Sequence, residues 1–204
     1  FESWPPQHAQ LENLYPQPNG QLGFSPSESS NNRYDEFMSD PARPVPFINK
    51  IGIGMFQEYM TADQRFASQR PDVLVYQSSP LKEDMTVAGP IEVELFVSIT
   101  GTDADWVVKV IDVYPDEVAG QPWMGGYQLM VSADIFRGRY RESFERPVAI
   151  APDAPLTYRF ALPTANHVFR AGHRIMVQVQ SSWFPLYDRN PQTFVPNIFW
   201  ARPE

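Results

Sequence analysis

The spacing of apolar positions changes once along the chain, near residue 70. Beyond that point apolar residues recur at every second position. IEVELFVSI (91–99) sets Ile91, Val93, Leu95, Val97 and Ile99 on one face against Glu92, Glu94 and Ser98, with Phe96 as the exception. This is the pattern of a half-buried strand. The same alternation runs through VLVYQ (73–77), YQLMVSADI (127–135), LTYRFAL (156–162) and HRIMVQVQS (173–181). WVVKVIDVY (106–114) is apolar on both faces, as a central or interface strand would be. Strands at regular spacing, parted by Gly, Pro and Asp turns and lacking helices between them, predict an antiparallel β-sandwich.

Before residue 70 the pattern is that of a meandering arm. LENLYPQPNGQLGF reads as a hairpin: Leu11, Leu14 and Tyr15 precede Asn19-Gly20, whose positive φ angles suit a tight turn, and Leu22 and Phe24 follow. SPSESSNN (25–32) reads as a polar surface loop. Prolines 41, 44 and 46 stiffen DPARPVPF into an extended crossing segment. Thr61-Ala62-Asp63-Gln64 spells a capping box, predicting one short helix of about two turns that Pro71 ends. The chain thus divides into an arm over 1–69, packed on the same body, and a sandwich over 70–204.

Composition sharpens this picture. The 21 prolines among 204 residues are incompatible with long helices, where each interior proline costs about 3 kcal/mol. The absence of cysteine removes disulfide scaffolds, zinc ribbons and thiol nucleophiles, and leaves the compartment open between cytoplasm and periplasm or secretion. A net charge of −8 argues against a general nucleic-acid binder. No apolar run approaches the ~18 residues of a membrane span, and FESWPPQHAQ lacks the features of a signal peptide. An opening at Phe1 and an ending just after a strand-like run read as a piece of a longer polypeptide.

Candidate chemistry is sparse. No G-x-S-x-G elbow is present, and Ser79-Pro80-Leu81-Lys82 matches S-x-x-K by spelling alone. His8 reads as a solvated loop residue. His167 and His173 flank a turn and read as hydrogen-bonded turn residues rather than a metal pair. Thr102-Asp103-Ala104-Asp105 offers two carboxylates, too few for calcium, and reads as a strand-entry turn. No metal and no cofactor are expected. The five tryptophans are scattered, as core or interface residues are, rather than grouped as a sugar-stacking platform. Arg137, Arg139 and Arg141 alternate in RGRYRES, which predicts one strand face carrying an ion-pair ladder, with Glu142 and Glu145 nearby.

Several phrases together resemble the C-terminal jelly-roll domain of the CocE/NonD serine hydrolases, the X-Pro dipeptidyl-peptidase C-terminal type. They are RPDVLVYQSSPLKEDMTVAGPIEVELFVS (70–98), DADWVVKVIDVYPDE (103–117), RGRYRES (137–143) and HVFRAGHRIMVQVQSSWFPLYDRNPQT (167–193), in family order. YDEFMSDPARPVPF (34–47) agrees more loosely. The arm and the ending SSWFPLYDRNPQTFVPNIFWARPE are most similar to the α-amino-acid ester hydrolase and glutaryl-type acylase branch.

This resemblance implies an all-β jelly-roll sandwich, galactose-binding-like, beside an α/β-hydrolase domain that carries the catalytic triad and a helical cap. No triad residue transfers to this sequence. The implied role is to buttress those domains, wall the substrate cleft or mediate homo-oligomer contacts in an enzyme acting on esters or amides of small acyl groups. Asp188 and Arg189 of YDRN are expected to tie their loop to RGRYRES, with Glu142 a further candidate partner. Ile51, Ile53, Met55, Phe56 and Tyr59 are candidates to face the cleft, against a plainer role in packing a long connection. The family usually continues into a basic segment and a final strand; without it one sheet has an unpaired edge. The alternative readings are a stand-alone carbohydrate-binding module and a protein-interaction sandwich.

Overall fold

The computed structural model describes residues 3–28 and 34–202, so residues 29–32 of the polar stretch lie outside the described part. Among the described residues eight strands form an all-β sandwich: β1 Tyr15–Gln17, β2 Gln21–Gly23, β3 Leu74–Gln77, β4 Met85–Val97, β5 Asp105–Val113, β6 Gln128–Arg137, β7 Leu156–Phe169 and β8 Arg174–Gln180. Six lie in one sheet in the order β1-β2-β3-β8-β5-β6, and β4 pairs with β7 in the other. Among the described residues β4 and β7 therefore each have one unpaired edge. β1 and β2 form the expected hairpin, with Asn19 at φ 62° and Gly20 at φ 69° supplying the turn.

The core follows the alternation. Trp106, Val108 and Val110 of β5, Ile175 and Val179 of β8, and Tyr158, Leu162 and Phe169 of β7 are buried together between the sheets. Ile91, Val93, Leu95 and Val97 of β4 pack against them, and Phe96 on the opposite face is 75% exposed. β4 and β7 run well past the segments that alternation marked, from Met85↔Phe169 to Val97↔Leu156, with a register shift between Gly89 and Ile91. Pro90 and Pro163 both fall at this shift, where a residue without an N–H costs no ladder bond.

Alternation fails in β6. Val110 pairs with Ser132 but Ile111 pairs with Met130, so Val131 is the extra residue of a bulge. Val131 and Phe136 join the inner core, whereas Met130, Ala133 and Ile135 face outward. Polar Ser132 turns inward because its Oγ donates to the Pro163 carbonyl at 2.7 Å, which joins the two sheets.

The outer face of the large sheet is covered as well, which makes every residue of β5 buried. Val107 packs with Phe47, Ile48 and Trp183, and Val45, Ala67 and Val73 form a neighbouring cluster. We call residues 45–69 the strap. One end is held where the Val45 N–H donates to Ser182 Oγ (2.8 Å) and the Phe47 N–H donates to the Phe184 carbonyl (2.8 Å). The other is held where the Gln64 N–H donates to the Gln128 carbonyl (3.0 Å) and the Tyr127 hydroxyl donates to the Thr61 carbonyl (2.6 Å).

The short helix differs from expectation. α1 spans only Arg65–Ser68, a single turn, and its N-cap Gln64 makes no side-chain cap bond. Thr61 lies outside it and donates its hydroxyl to the Glu58 carbonyl. Asp63 instead accepts from the Arg65 N–H, and Gln64 is 1% exposed because its side chain is drawn into the sheet interface. Tertiary contacts have overridden the capping box.

Candidate functional site

Among the described residues three groups of side chains stand out on the sandwich and its covering segment. The first lies at the end of the sandwich where β5 starts and β6 ends. The three arginines do not share a strand face, since β6 stops at Arg137 and residues 138–140 form a 3-10 turn. They are nonetheless all engaged. Arg139, 4% exposed, donates from Nε to Asp103 Oδ2 at 2.8 Å and from Nη2 to the same oxygen, with the Phe194 ring 5.0 Å from its guanidinium carbon. Arg137 lies 3.8 Å from Asp105 Oδ2. Arg141 donates to the carbonyls of Gly138 (3.2 Å), Val148 (2.8 Å) and Ala149 (2.8 Å) and lies 3.4 Å from Glu142. Asp103 and Asp105, read from sequence as a turn pair, are buried counter-ions.

The expected tie from YDRN to this cluster runs through a different residue. Asp188 is exposed, and Arg189 donates to the Pro41 carbonyl at 3.0 Å with its guanidinium carbon 5.4 Å from the Phe184 ring. Asn190 makes the tie, donating to Asp105 Oδ1 at 3.0 Å. A buried carboxylate already facing a guanidinium is better completed by a neutral amide than by a further charge. The following residues clasp the same end. The Thr102 N–H donates to the Gln192 carbonyl at 3.0 Å, and the Phe194 N–H donates to Thr102 Oγ1 at 2.7 Å. Gly101 is required there, because a Cβ would sit 2.2 Å from the Gln192 carbonyl oxygen.

Burial pushes the Asp105 carboxyl up to about 6, against the lowering effects of Arg137, Asn190 and Arg139, with Asp103 adding to the rise. Because the folded value exceeds the unfolded one, the native state holds the extra proton between about pH 4 and 6. The associated stability is complete below about pH 4 and is lost as pH rises through 6. Asp105→Asn keeps an acceptor for Asn190 without the buried charge. It is expected to gain about 3 kcal/mol relative to the wild type between pH 4 and pH 7. Urea midpoints of both proteins across that range check this; parallel curves would refute it.

The second cluster lies at the opposite end of β5. Asp112, 2% exposed, follows Trp106, Val108 and Val110 on the inward face. Its Oδ2 is 2.8 Å from His167 Nε2 on β7, and its Oδ1 is 2.7 Å from His173 Nδ1 on the β7–β8 turn. One carboxylate thus bridges both sheets and the turn. The two histidines are hydrogen-bonded, as expected, but to a shared partner that the spacing did not name. The His173 ring is 4.5 Å from Tyr114, and His167 meets Phe169 edge-on at 4.8 Å. Among the described residues no group of three or more His, Cys, Asp or Glu side chains could hold a metal ion.

The third cluster is the surface of the strap. Ile51 and Ile53 are fully exposed and Met55 is 61% exposed. Phe56 and Tyr59 instead turn inward: the Phe47 ring stacks on Phe56 at 6.4 Å and meets Tyr59 at 5.4 Å, and Tyr59 meets Trp183 edge-on at 6.0 Å. Gly52 admits the fold-back of Phe56, whose ring atom would lie 2.6 Å from a Cβ. The five candidates therefore split into an exposed apolar loop and its packed base. Beside the loop a cavity of about 270 Å³ is lined by Ile48, Asn49, Lys50, Glu58, Ala62 and Asp63. Lys50 and Glu58 pair across it at 2.5 Å, and this bond, ahead of a backbone one, holds the Glu58 carboxyl below its usual range. Of the tryptophans, Trp106 and Trp183 are core residues, and Trp4, Trp123 and Trp200 are exposed.

Nothing in these clusters assembles a nucleophile beside a base and an oxyanion site. The family model of the X-Pro dipeptidyl-peptidase C-terminal non-catalytic domain matches residues 1–198. The chain belongs to this family. As a non-catalytic domain of the X-Pro dipeptidyl-peptidase C-terminal type, it is similar to segments of larger hydrolases. It is 36% identical over 170 residues to cocaine esterase from Rhodococcus sp. (strain MB1 Bresler), covering 83% of this chain and 28% of that one. The crystal structure of an aminopeptidase from a marine sediment Thaumarchaeota archaeon matches all of this chain with a TM-score of 0.95 and 53% identity, over 34% of its own length. A selenomethionine-labelled α-amino acid ester hydrolase matches 93% of this chain with a TM-score of 0.89 and 53% identity, over 32% of its length. The chain spans about a third of the length of the relatives it matches. No helix of the described residues is long and apolar enough to cross a membrane.

Proposed function

We propose that this chain serves as the β-sandwich portion of a CocE/NonD-type serine hydrolase. There it buttresses an α/β-hydrolase domain and its helical cap and helps wall the substrate cleft. The observation that carries this reading is the match of the entire chain, at 53% identity, to one third of an aminopeptidase structure. The chemistry agrees with it. Buried ion pairs and a carboxylate bridge brace both ends of the sandwich, while polar groups with free reactive geometry are lacking in the clusters described. In this reading the sandwich over 70–204 is the brace and the arm over 1–69 is its contact layer. Ile51 and Met55 face the neighbouring domain or the cleft, and Phe56 and Tyr59 fix the loop's base.

A graft tests this. Replacing the matching third of the α-amino acid ester hydrolase with residues 1–204 is expected to give a folded, active ester hydrolase. In that graft, Ile51→Asn with Met55→Asn is expected to lower kcat/KM about tenfold, while the melting temperature of the 204-residue chain alone stays unchanged. Undiminished hydrolysis by the relative after deletion of its matching third would overturn the bracing role. An unchanged kcat/KM in the double variant would remove the loop from the cleft.

A further inference from the structure

The outer face of the large sheet contains a charged residue that neither the bracing clusters nor the exposed loop uses. Lys109, at the centre of β5, is fully buried beneath the strap. Its Nζ donates to Gln64 Oε1 at 3.0 Å, a partner that belongs to the strap itself. Two rings enclose the amine: Trp183 at 5.3 Å and Phe66, also of the strap, at 6.0 Å.

Among the described residues no carboxylate pairs with the amine. Its cross-strand neighbours are Gln178 on β8 and Ala133 on β6. Gln178 Oε1 and, two residues on, Gln180 Oε1 are buried with no hydrogen-bond partner, so the amine reaches neither. On the strap, Asp63 and Arg65 pair with each other at 2.5 Å, and Arg70 and Asp72 just beyond it pair at 2.7 Å. Asp63 also accepts the Gln128 N–H, and Arg65 donates to the Gly125 carbonyl at 3.2 Å. The loop after β8 contributes Trp183 and Tyr187 to the same cluster as Tyr59, and the phenol of Tyr187 is pushed up by burial. On the same face of β5, the flanking residues are Val107 and Ile111.

An ammonium carries three N–H donors and needs either acceptors or water for each. This site provides one acceptor and two ring faces, and the rings' attraction for a cation is smaller than the hydration that a fully buried ammonium gives up. A neutral amine fits the closed arrangement; a charged one calls for solvent. Solvent reaches Nζ once Gln64 and Phe66 move away, and both are carried by the strap.

We propose that the strap is a proton-operated latch: it lies closed while the Lys109 amine is neutral and lifts from the sheet when that amine takes up a proton. Burial alone lowers the Lys109 amine to about 7, which sets the transition close to neutral pH. Below that value the penalty of a buried charge is complete, and it is relieved as pH rises from about 7 towards the unfolded value. The strap also bears the Ile51–Met55 loop and the lining of the adjacent cavity, so lifting it would displace that face as a unit. The latch itself does not depend on the function proposed above.

Hydrogen exchange tests this on the 204-residue chain. Amides of 45–69 are followed by mass spectrometry at pH 8.5 and pH 6.0, with rates corrected for the intrinsic pH effect. Protection of the strap is expected to fall at least tenfold at pH 6.0, while β5 and β8 keep theirs. Lys109→Met, of similar length and uncharged, is expected to show equal strap protection at both pH values; Lys82→Met, at an exposed position, is expected to retain the wild-type dependence. Equal protection in the wild type, or a surviving dependence in Lys109→Met, overturns the latch. Direct titration of Lys109 Nζ by nitrogen-detected NMR needs no variant: an inflection above pH 9 overturns it equally.

Discussion

Asp103→Ala is expected to lower the unfolding free energy by about 3–5 kcal/mol, among the largest single-residue effects in the molecule. Asp103 is 0% exposed and its partner Arg139 is 4% exposed, so truncating the acid leaves a guanidinium buried without its counter-ion. Water cannot compensate, because Phe194 covers the guanidinium and the backbone from Gln192 to Phe194 closes over Thr102 and Asp103. Asp103 Oδ1 has no partner of its own, so the pair as built is a constraint on geometry more than a net source of stability. The companion variant separates these contributions. Asp103→Leu with Arg139→Met removes both charges and is expected to recover most of the loss. Denaturant midpoints of the single and double variants measure it. A single-variant loss below about 1 kcal/mol would mean that the guanidinium finds solvent by a route the fold does not show.

The second large effect is expected at the other end of β5. Asp112→Ala removes the acceptor of two imidazoles at once, leaving two partly buried donors unpaired. The expected cost is about 2–4 kcal/mol, at roughly 1–3 kcal/mol for each orphaned group with partial relief from water. Asp112→Asn keeps the shape: its carbonyl accepts from one imidazole and its NH₂ donates to the other once that ring changes tautomer, so a smaller cost, nearer about 1–2 kcal/mol, is expected from the loss of the charged acceptor. Because the bridge spans both sheets, the loss should be global: exchange of β5 and β7 amides should accelerate together. Acceleration confined to the β7–β8 turn would show that the bridge pins the turn and not the sandwich.

The strands were legible because burial on a pleated sheet imposes a period of two, and that period is visible wherever one face is polar, as in Ile91–Ile99. It fails where the partner strand is bulged. Nothing local to Val131 announces that β6 changes sides there. The arginine cluster was legible as a set of residues but not as a geometry. Arg139 meets Asp103 across a turn, and the neutral Asn190 replaces the charged Asp188 and Arg189 because desolvation favours an amide beside a buried carboxylate. Asp112 and Lys109 did leave a signal: each is a charged residue inside an otherwise apolar strand, where an ionised group persists only with partners or with a displaced proton. What that signal could not give was the partners, since His167, His173 and Gln64 lie 45 to 61 positions away in the chain.

The strap's anchors also order the events of biosynthesis. At the strap's first end Val45 is fastened to Ser182 and Phe47 to Phe184, contacts that each span 137 residues, and Pro41 just before it is held by Arg189 across 148. Such closures are entropically slow and form late. During translation the strap leaves the ribosome long before these anchors exist, so Phe47, Ile48 and Trp183 cannot come together until residue 183 has been made. Until β8 is made, β5 has only β6 beside it in this sheet, so one edge of β5 is unpaired and Lys109 is open to solvent. A charged lysine at the centre of an unpaired strand hinders edge-to-edge pairing with neighbouring nascent chains. The residue that burdens the finished fold would thus keep the unfinished one soluble.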